Sequence, residues 1–370
     1  MKRNWIAQRS AGIDSSGIRR VFDLAANMHD PIDLSIGQPD FDVPRAIQDA
    51  AIEAIRSGKN GYSVTQGIAS LRAALQSRVA AKFGHADRTV LITSGTSGAL
   101  VLALLATIDP GDEVIVFDPY FVMYEALVGM VGGRCVLVDT YPEFRIDIDR
   151  VAAAMSGKTK MILLGTPANP TGVVASEQEV RDLAELAARH EVLLVSDEIY
   201  GHFCYDGSLV SPASYDESCL VLDGFSKTYG VTGWRLGFAH GPAQIIEVMT
   251  MLQQYTFVCA PQPAQWAGVA ALDVDMRREV ATFRRRRDLL IAGLADDYEL
   301  VRPGGAFYLF PQVPWGTGTE FVRRAIDHEL LIIPGNVFSR RDTHFRISYA
   351  ADETTIARGI DVLQRLARFG

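Results

Sequence analysis

From about residue 88 to 240 the chain repeats one texture, a short apolar run followed by a polar stretch marked by Gly or Pro. The runs are Val90-Leu91-Ile92, Val114-Ile115-Val116-Phe117, Met161-Ile162-Leu163-Leu164, Val192-Leu193-Leu194-Val195 and Leu220-Val221-Leu222. None alternates polar with apolar residues, so both faces of each strand must be covered, as in a largely parallel sheet packed between helices. Helical patterns lie between several runs, and one has a clear start: Ser176 with Glu179 forms a capping box ahead of Leu183, Leu186 and Ala187. This alternation predicts an open α/β sheet.

The flanks read differently. Ile47, Ala50, Ala51, Ala54 and Ile55 are spaced for one amphipathic helix over residues 44–57, with Pro44 at its start and Gly58 just past its end. A long helix is expected over about 267–295, with Arg284 to Arg287 as a solvated face. Beyond Pro303-Gly304-Gly305, the stretches Phe307 to Phe310, Leu330 to Ile333 and Phe345-Arg346-Ile347-Ser348-Tyr349 predict a small α+β unit.

The 370 residues, 48% of them apolar, can bury a core of this size. The net charge of −8 provides no general field for nucleic acid, so anionic ligands must be held by a few local cations. Cys135, Cys204, Cys219 and Cys259 show no CxxC or zinc-type spacing, which predicts free, buried or half-buried thiols in a reducing cytoplasm and no metal centre. Met1 to Trp5 is basic, but no apolar h-region follows and no apolar run approaches roughly 18 residues. Neither a cleaved signal nor a membrane span is expected.

Open parallel sheets bind ligands at the carboxyl ends of their strands, so the residues after each apolar run come next. Thr93-Ser94-Gly95-Thr96-Ser97-Gly98 is a small-residue loop opening an apolar helix, which suits a phosphate but is also ordinary turn chemistry. Asp118-Pro119-Tyr120-Phe121, Asn169-Pro170-Thr171-Gly172 and Asp197-Glu198-Ile199-Tyr200 each place a functional-looking side chain at a strand end. Alone, Asp197 could be a helix cap or a metal ligand, and Asn169-Pro170 a turn. The fifth strand leads into Gly224-Phe225-Ser226-Lys227-Thr228-Tyr229-Gly230, with Arg235 eight positions after Lys227.

The segment Gly224 to Gly237 resembles the lysine signature of the class I/II pyridoxal-phosphate-dependent aminotransferases, the aspartate aminotransferase superfamily of fold type I. Ile36-Gly37-Gln38-Pro39-Asp40-Phe41, Asn60-Gly61-Tyr62, Asn169 to Gly172, Asp197 to Tyr200 and Phe345 to Ser348 are similar to further motifs of that family, in family order. The resemblance implies an α/β fold: a large domain with a mostly parallel, seven-stranded type of sheet between helices, plus a smaller α+β domain. It divides the chain into residues 1–43 (N-terminal arm and part of the small domain), 44–270 (large cofactor domain) and 271–370 (small C-terminal domain).

The resemblance also implies roles. Lys227 would carry pyridoxal 5'-phosphate through its amine and later move the substrate's α-proton. Asp197 would face the ring nitrogen and keep it protonated, Tyr200 and Asn169 would donate to the phenolic oxygen, and Phe121 would stack on the ring. Arg235, the backbone at Gly95 and the hydroxyls of Thr96 and Ser97 would take the phosphate, joined by Tyr62 from the neighbouring subunit of a homodimer. Arg346 would clamp the substrate α-carboxylate, assisted by Asn169 and the backbone at Gly37.

The expected activity is transfer of the α-amino group of an L-amino acid to a 2-oxo acid such as 2-oxoglutarate, in two half-reactions. Two alternatives keep the cofactor: a C–S β-lyase on the same fold, and a non-catalytic pyridoxal-phosphate-binding regulator, which the net charge disfavours as a DNA binder. Departures from the family bear on the donor. Ser97 stands where some aspartate-selective relatives have lysine, no second arginine for a distal carboxylate is evident, and Gly224 replaces a phosphate-binding serine of some members. Tyr255 and Phe257 fit either a side-chain pocket or core and interface packing. The bond Asn169-Pro170 is expected to be cis.

Overall fold

The computed structural model describes residues 5–7, 10, 17 and 28–368. The basic start at Met1 to Asn4 and most of the expected arm over 1–43 lie outside the described residues. Strand β1 is Ile32–Asp33, and seven strands form the main sheet: β2 (Arg88–Thr93), β3 (Glu113–Asp118), β4 (Arg134–Asp139), β5 (Thr159–Gly165), β6 (Leu193–Asp197), β7 (Leu220–Gly224) and β8 (Gly237–Pro242). Their order is β2-β8-β7-β6-β5-β3-β4. All pairs among β7, β6, β5, β3 and β4 are parallel, whereas β8 runs antiparallel to both β2 and β7.

The five expected strands are all present, and their burial explains the unbroken apolar runs. Met161, Ile162, Leu163 and Leu164 on β5 are each 3% exposed or less, because helices cover both faces of the sheet. The helix Glu177–Arg189 begins with the expected capping box, and its buried face is Val180, Leu183, Ala184, Leu186 and Ala187. A helix also spans Arg45–Arg56, followed by Gly58 at φ +79°.

Two strands carry no clear signal in the sequence. The edge strand β4 opens on Gly132-Gly133 and is largely half-buried, so its apolar run is diluted. β8 reads Gly-Phe-Ala-His-Gly-Pro, a composition poor in strand formers. Gly237 is required there by a close approach, since a Cβ would lie 2.5 Å from the Gly95 carbonyl carbon and 2.6 Å from the Thr96 nitrogen.

A three-stranded antiparallel sheet follows from β9 (Tyr308–Leu309), β11 (Ile333–Pro334) and β12 (Phe345–Ser348), in the order β11-β12-β9, and β10 (Leu330–Leu331) pairs in parallel with β1. This second unit has its own core around Phe283, Phe307, Phe321, Phe345, Ile347 and Tyr349. The four cysteines are free, with Cys219 buried and the others half-buried.

The long helix expected over 267–295 is two helices, Gln262–Ala271 and Arg277–Leu294. The break falls at an aspartate-rich stretch in which Asp275 accepts from the Arg277 N–H at 3.0 Å, a local bond that restarts the helix rather than continuing it. The solvated reading of Arg284 to Arg287 is also corrected. Successive helical residues turn by about 100°, so four in a row cannot share one face. Arg284 and Arg285 face outward, but Arg286 makes a bidentate pair with Asp40 at 2.7 and 2.7 Å. The Arg287 side chain is fully buried, donating to Asp206 at 2.6 Å and to the Pro303 carbonyl at 2.9 Å. Arg286 thereby ties the Gly37 to Phe41 segment to the second unit.

Candidate active site

The main sheet brings the loops after β2, β3, β5, β6 and β7 to one rim, where they line a cavity of about 260 Å³. The cis bonds Asp118-Pro119, Thr166-Pro167 and the expected Asn169-Pro170 lie in these loops, and Tyr141-Pro142 is cis as well. Gly37, Thr96, Ser97, Phe121, Asn169, Asp197, Tyr200, Lys227, Arg235 and Arg346 all face the cavity. Residues separated by more than 300 positions thus meet.

Lys227 follows β7, and its Nζ donates to the Gly37 carbonyl at 2.6 Å. Burial pulls this amine down to about 8, helped by the nearby charges of Arg346 and Arg235 and opposed by Asp197. Asp197 ends β6 and is 8% exposed. Its Oδ2 accepts from the Tyr124 hydroxyl at 2.9 Å and its Oδ1 from the Ile199 N–H at 3.3 Å. Burial still raises its carboxyl, against the pull of those bonds and of Lys227. No arginine, lysine or histidine pairs directly with this carboxylate among the described residues, so a cationic ring nitrogen would supply what it lacks.

At the opposite end, the helix Gly95–Thr107 points its first turn into the cavity through Thr96 and Ser97, with no side-chain cap on its N–H groups. Gly95 has φ +71°, and a Cβ there would lie 2.4 Å from Arg235 Nη2, so the guanidinium rests directly on the glycine. Arg235 is exposed at the mouth and donates to the Thr232 carbonyl at 2.9 Å. The Thr96 hydroxyl donates to the Asp223 carbonyl at 3.1 Å, and a side chain at Gly224 would bring its Cβ to 2.8 Å from that hydroxyl.

Arg346, on β12, is 1% exposed and has no carboxylate partner among the described residues. Its Nη1 donates to Asn169 Oδ1 at 3.0 Å and its Nη2 to the Ser35 carbonyl at 2.7 Å, while Nε is buried without a partner. Burial lowers its pKa. Among the described cavity-lining residues, the lysines and arginines are Lys227, Arg235 and Arg346 alone.

The chain does not bring Tyr62 to its own cavity, where that residue is 84% exposed. Tyr255 and Phe257 are 83% and 38% exposed and do not line the cavity either. Sequence reasoning missed Tyr124 and Tyr308. Tyr124 sits one helical turn after Phe121, their rings edge to face at 5.7 Å, so its spacing from the aromatic candidate was a usable signal. Tyr308 lies in an apolar run, Phe307 to Phe310, that reads as core.

An amine, a buried carboxylate awaiting a cation, a phenol, an amide and a glycine-floored anion site match the aldehyde, ring nitrogen, phenolic oxygen and phosphate of pyridoxal phosphate. The pattern of class I and II aminotransferases matches residues 29–363. The chain belongs to this family. It is 36% identical to a probable aspartate aminotransferase of Methanocaldococcus jannaschii, over 98% of this chain and 99% of that protein. It is 37% identical to the aspartate/prephenate aminotransferase of Thermus thermophilus, over 94% and 93% respectively. The solved aspartate aminotransferase from Thermus thermophilus with maleate superposes with a TM-score of 0.93 at 34% identity, covering 98% of this chain and 100% of that one. This aminotransferase therefore has the fold type I architecture and depends on pyridoxal phosphate.

A pH dependence follows for cofactor capture. Only the neutral amine attacks an aldehyde, so the rate of covalent capture by cofactor-free protein should rise through pH 8 and level off above it. Stopped-flow absorbance would measure this. A rate still rising toward pH 10.5, the ordinary lysine value, would show an unperturbed amine.

Proposed function

We propose that this aminotransferase moves the α-amino group of an L-amino acid to a 2-oxo acid such as 2-oxoglutarate, with Lys227 as its catalytic base. The observation that carries this is the placement of the Lys227 amine in one cavity with Asp197 and Arg346. When bound, pyridoxal phosphate supplies an aldehyde carbon and a ring able to take up the electron pair released at the substrate α-carbon. Lys227 Nζ takes the α-proton and returns it, and its depressed pKa suits both directions near neutral pH. The Asp197 carboxylate keeps the ring nitrogen protonated, and Tyr124 and Ile199 hold that carboxylate in place. Tyr200 and Asn169 donate to the phenolic oxygen, while Phe121 packs on the ring. Gly95, Thr96, Ser97 and Arg235 hold the phosphate, and Arg346 with Asn169 and Gly37 orients the α-carboxylate.

The chain works as a homodimer in which Tyr62 reaches the neighbouring site. Its 84% exposure in the single chain and the exposure of Ile52, Ile55, Val64, Met251 and Tyr255 support a covered face. Residues 44–270 form the large domain and 271–370 the small one, and the β1–β10 pairing supports counting Ile32–Asp33 with the small one. Four free thiols favour the cytoplasm. Among the described residues no helix is long and apolar enough to cross a membrane.

The decisive experiment splits the reaction. An amino donor alone should release one 2-oxo acid per site and bleach the cofactor absorbance, and 2-oxoglutarate added afterwards should restore it. Pyruvate and a thiol released catalytically from a cysteine conjugate would instead make it a β-lyase.

A further inference from the structure

Tyr308 stands where the two ends of the site meet. It is 1% exposed, and its hydroxyl lies 2.8 Å from that of Tyr200. The Arg346 guanidinium lies over its ring, 4.5 Å from the centroid, and over Phe338 at 4.6 Å. The strand register explains this meeting: Tyr308 pairs with Ser348, so Arg346, two residues along β12, is its diagonal neighbour on the same face. A Cβ on Gly37 would come 2.2 Å from the Tyr308 hydroxyl, so the backbone that receives the Lys227 amine is packed against it.

We propose that Tyr308 is a positioning residue: its hydroxyl donates to the Tyr200 oxygen, and its ring holds the Arg346 guanidinium. The inference rests on the roles of Tyr200 and Arg346 stated above. A phenol that accepts a hydrogen bond donates its own proton more strongly, so Tyr308 makes Tyr200 a better donor to the cofactor's phenolic oxygen. The charged or titratable groups facing this pair are Asp197, Lys227, Arg346 and Tyr349. The ring contact acts on a different step, because it fixes the plane of the group that receives the substrate carboxylate.

The two contacts separate in two variants, compared as holoenzymes with the native protein. Tyr308→Phe keeps the ring and removes the hydroxyl. Stabilising negative charge on the phenolic oxygen favours loss of the proton on the lysine–cofactor linkage, so the absorbance midpoint of the bound cofactor should shift up in this variant by roughly half to one pH unit. Its kcat should fall roughly 2- to 10-fold with KM unchanged. Tyr308→Leu should show the same shift and, in addition, a KM for the amino donor raised roughly 3- to 30-fold.

An unchanged midpoint and kcat in Tyr308→Phe would overturn the hydroxyl's role, and that arm decides alone because ring packing is preserved. An unchanged KM in Tyr308→Leu would overturn the ring's role. If the native protein itself shows no pH-dependent cofactor band, the parent assignment fails instead, and it fails in all three proteins alike.

Discussion

Lys227→Ala should lower transamination by roughly 10⁴-fold or more and leave no covalently held cofactor after borohydride reduction. Both effects follow from one atom. The Nζ is the amine that faces the cavity, and its partner in the protein is the Gly37 carbonyl at 2.6 Å. Losing that bond also removes a charge that burial disfavours, so the cofactor-free variant should unfold at or above the temperature of the cofactor-free native protein. Intact protein mass after reduction, steady-state rates and a thermal melt together distinguish a lost nucleophile from a damaged fold. Appreciable turnover by a well-folded Lys227→Ala would sink the assignment.

Arg346→Lys should cut kcat/KM for an amino acid donor by roughly 10²- to 10³-fold, although the positive charge is kept. The guanidinium is held through Asn169 Oδ1 and the Ser35 carbonyl with its carbon 4.5 and 4.6 Å from the centroids of two aromatic rings, and an ammonium cannot reproduce that fork. Simple amines, which lack the α-carboxylate, should change little between the native enzyme and the variant. Equal losses for both donor types, measured by half-reaction rates, would mean that Arg346 supports the fold rather than the carboxylate.

Much of the site was readable along the chain because parallel strands end at one rim, and each apolar run points to the few residues after it. That rule marks Thr96, Ser97, Phe121, Asn169, Asp197, Tyr200 and Lys227 as residues to inspect, the family resemblance assigns their roles, and all of them line the cavity. Tyr308 was not, because its neighbours Phe307, Leu309 and Phe310 are core residues and a tyrosine among them looks like packing. Its partners Tyr200 and Arg346 are distant in sequence, so nothing local marks its hydroxyl as polar business. Arg286 and Arg287 hid for the same reason. Asp40 lies 246 positions from Arg286, and Asp206, which Arg287 meets besides its neighbour Asp288, lies 81 away.

Strand and helix type, the capping box at Ser176 and the glycine punctuation came from short-range rules, in which a residue's fate depends on neighbours within a turn or a pleat. The antiparallel entry of β8 and the burial of two arginines came from contacts between distant segments. Those contacts carry their own physical cost: Gly237 is squeezed against Gly95 and Thr96, and the buried Arg287 guanidinium is met by the remote Asp206 carboxylate. No window of sequence contains both halves of such a pair, and only folding brings them within reach.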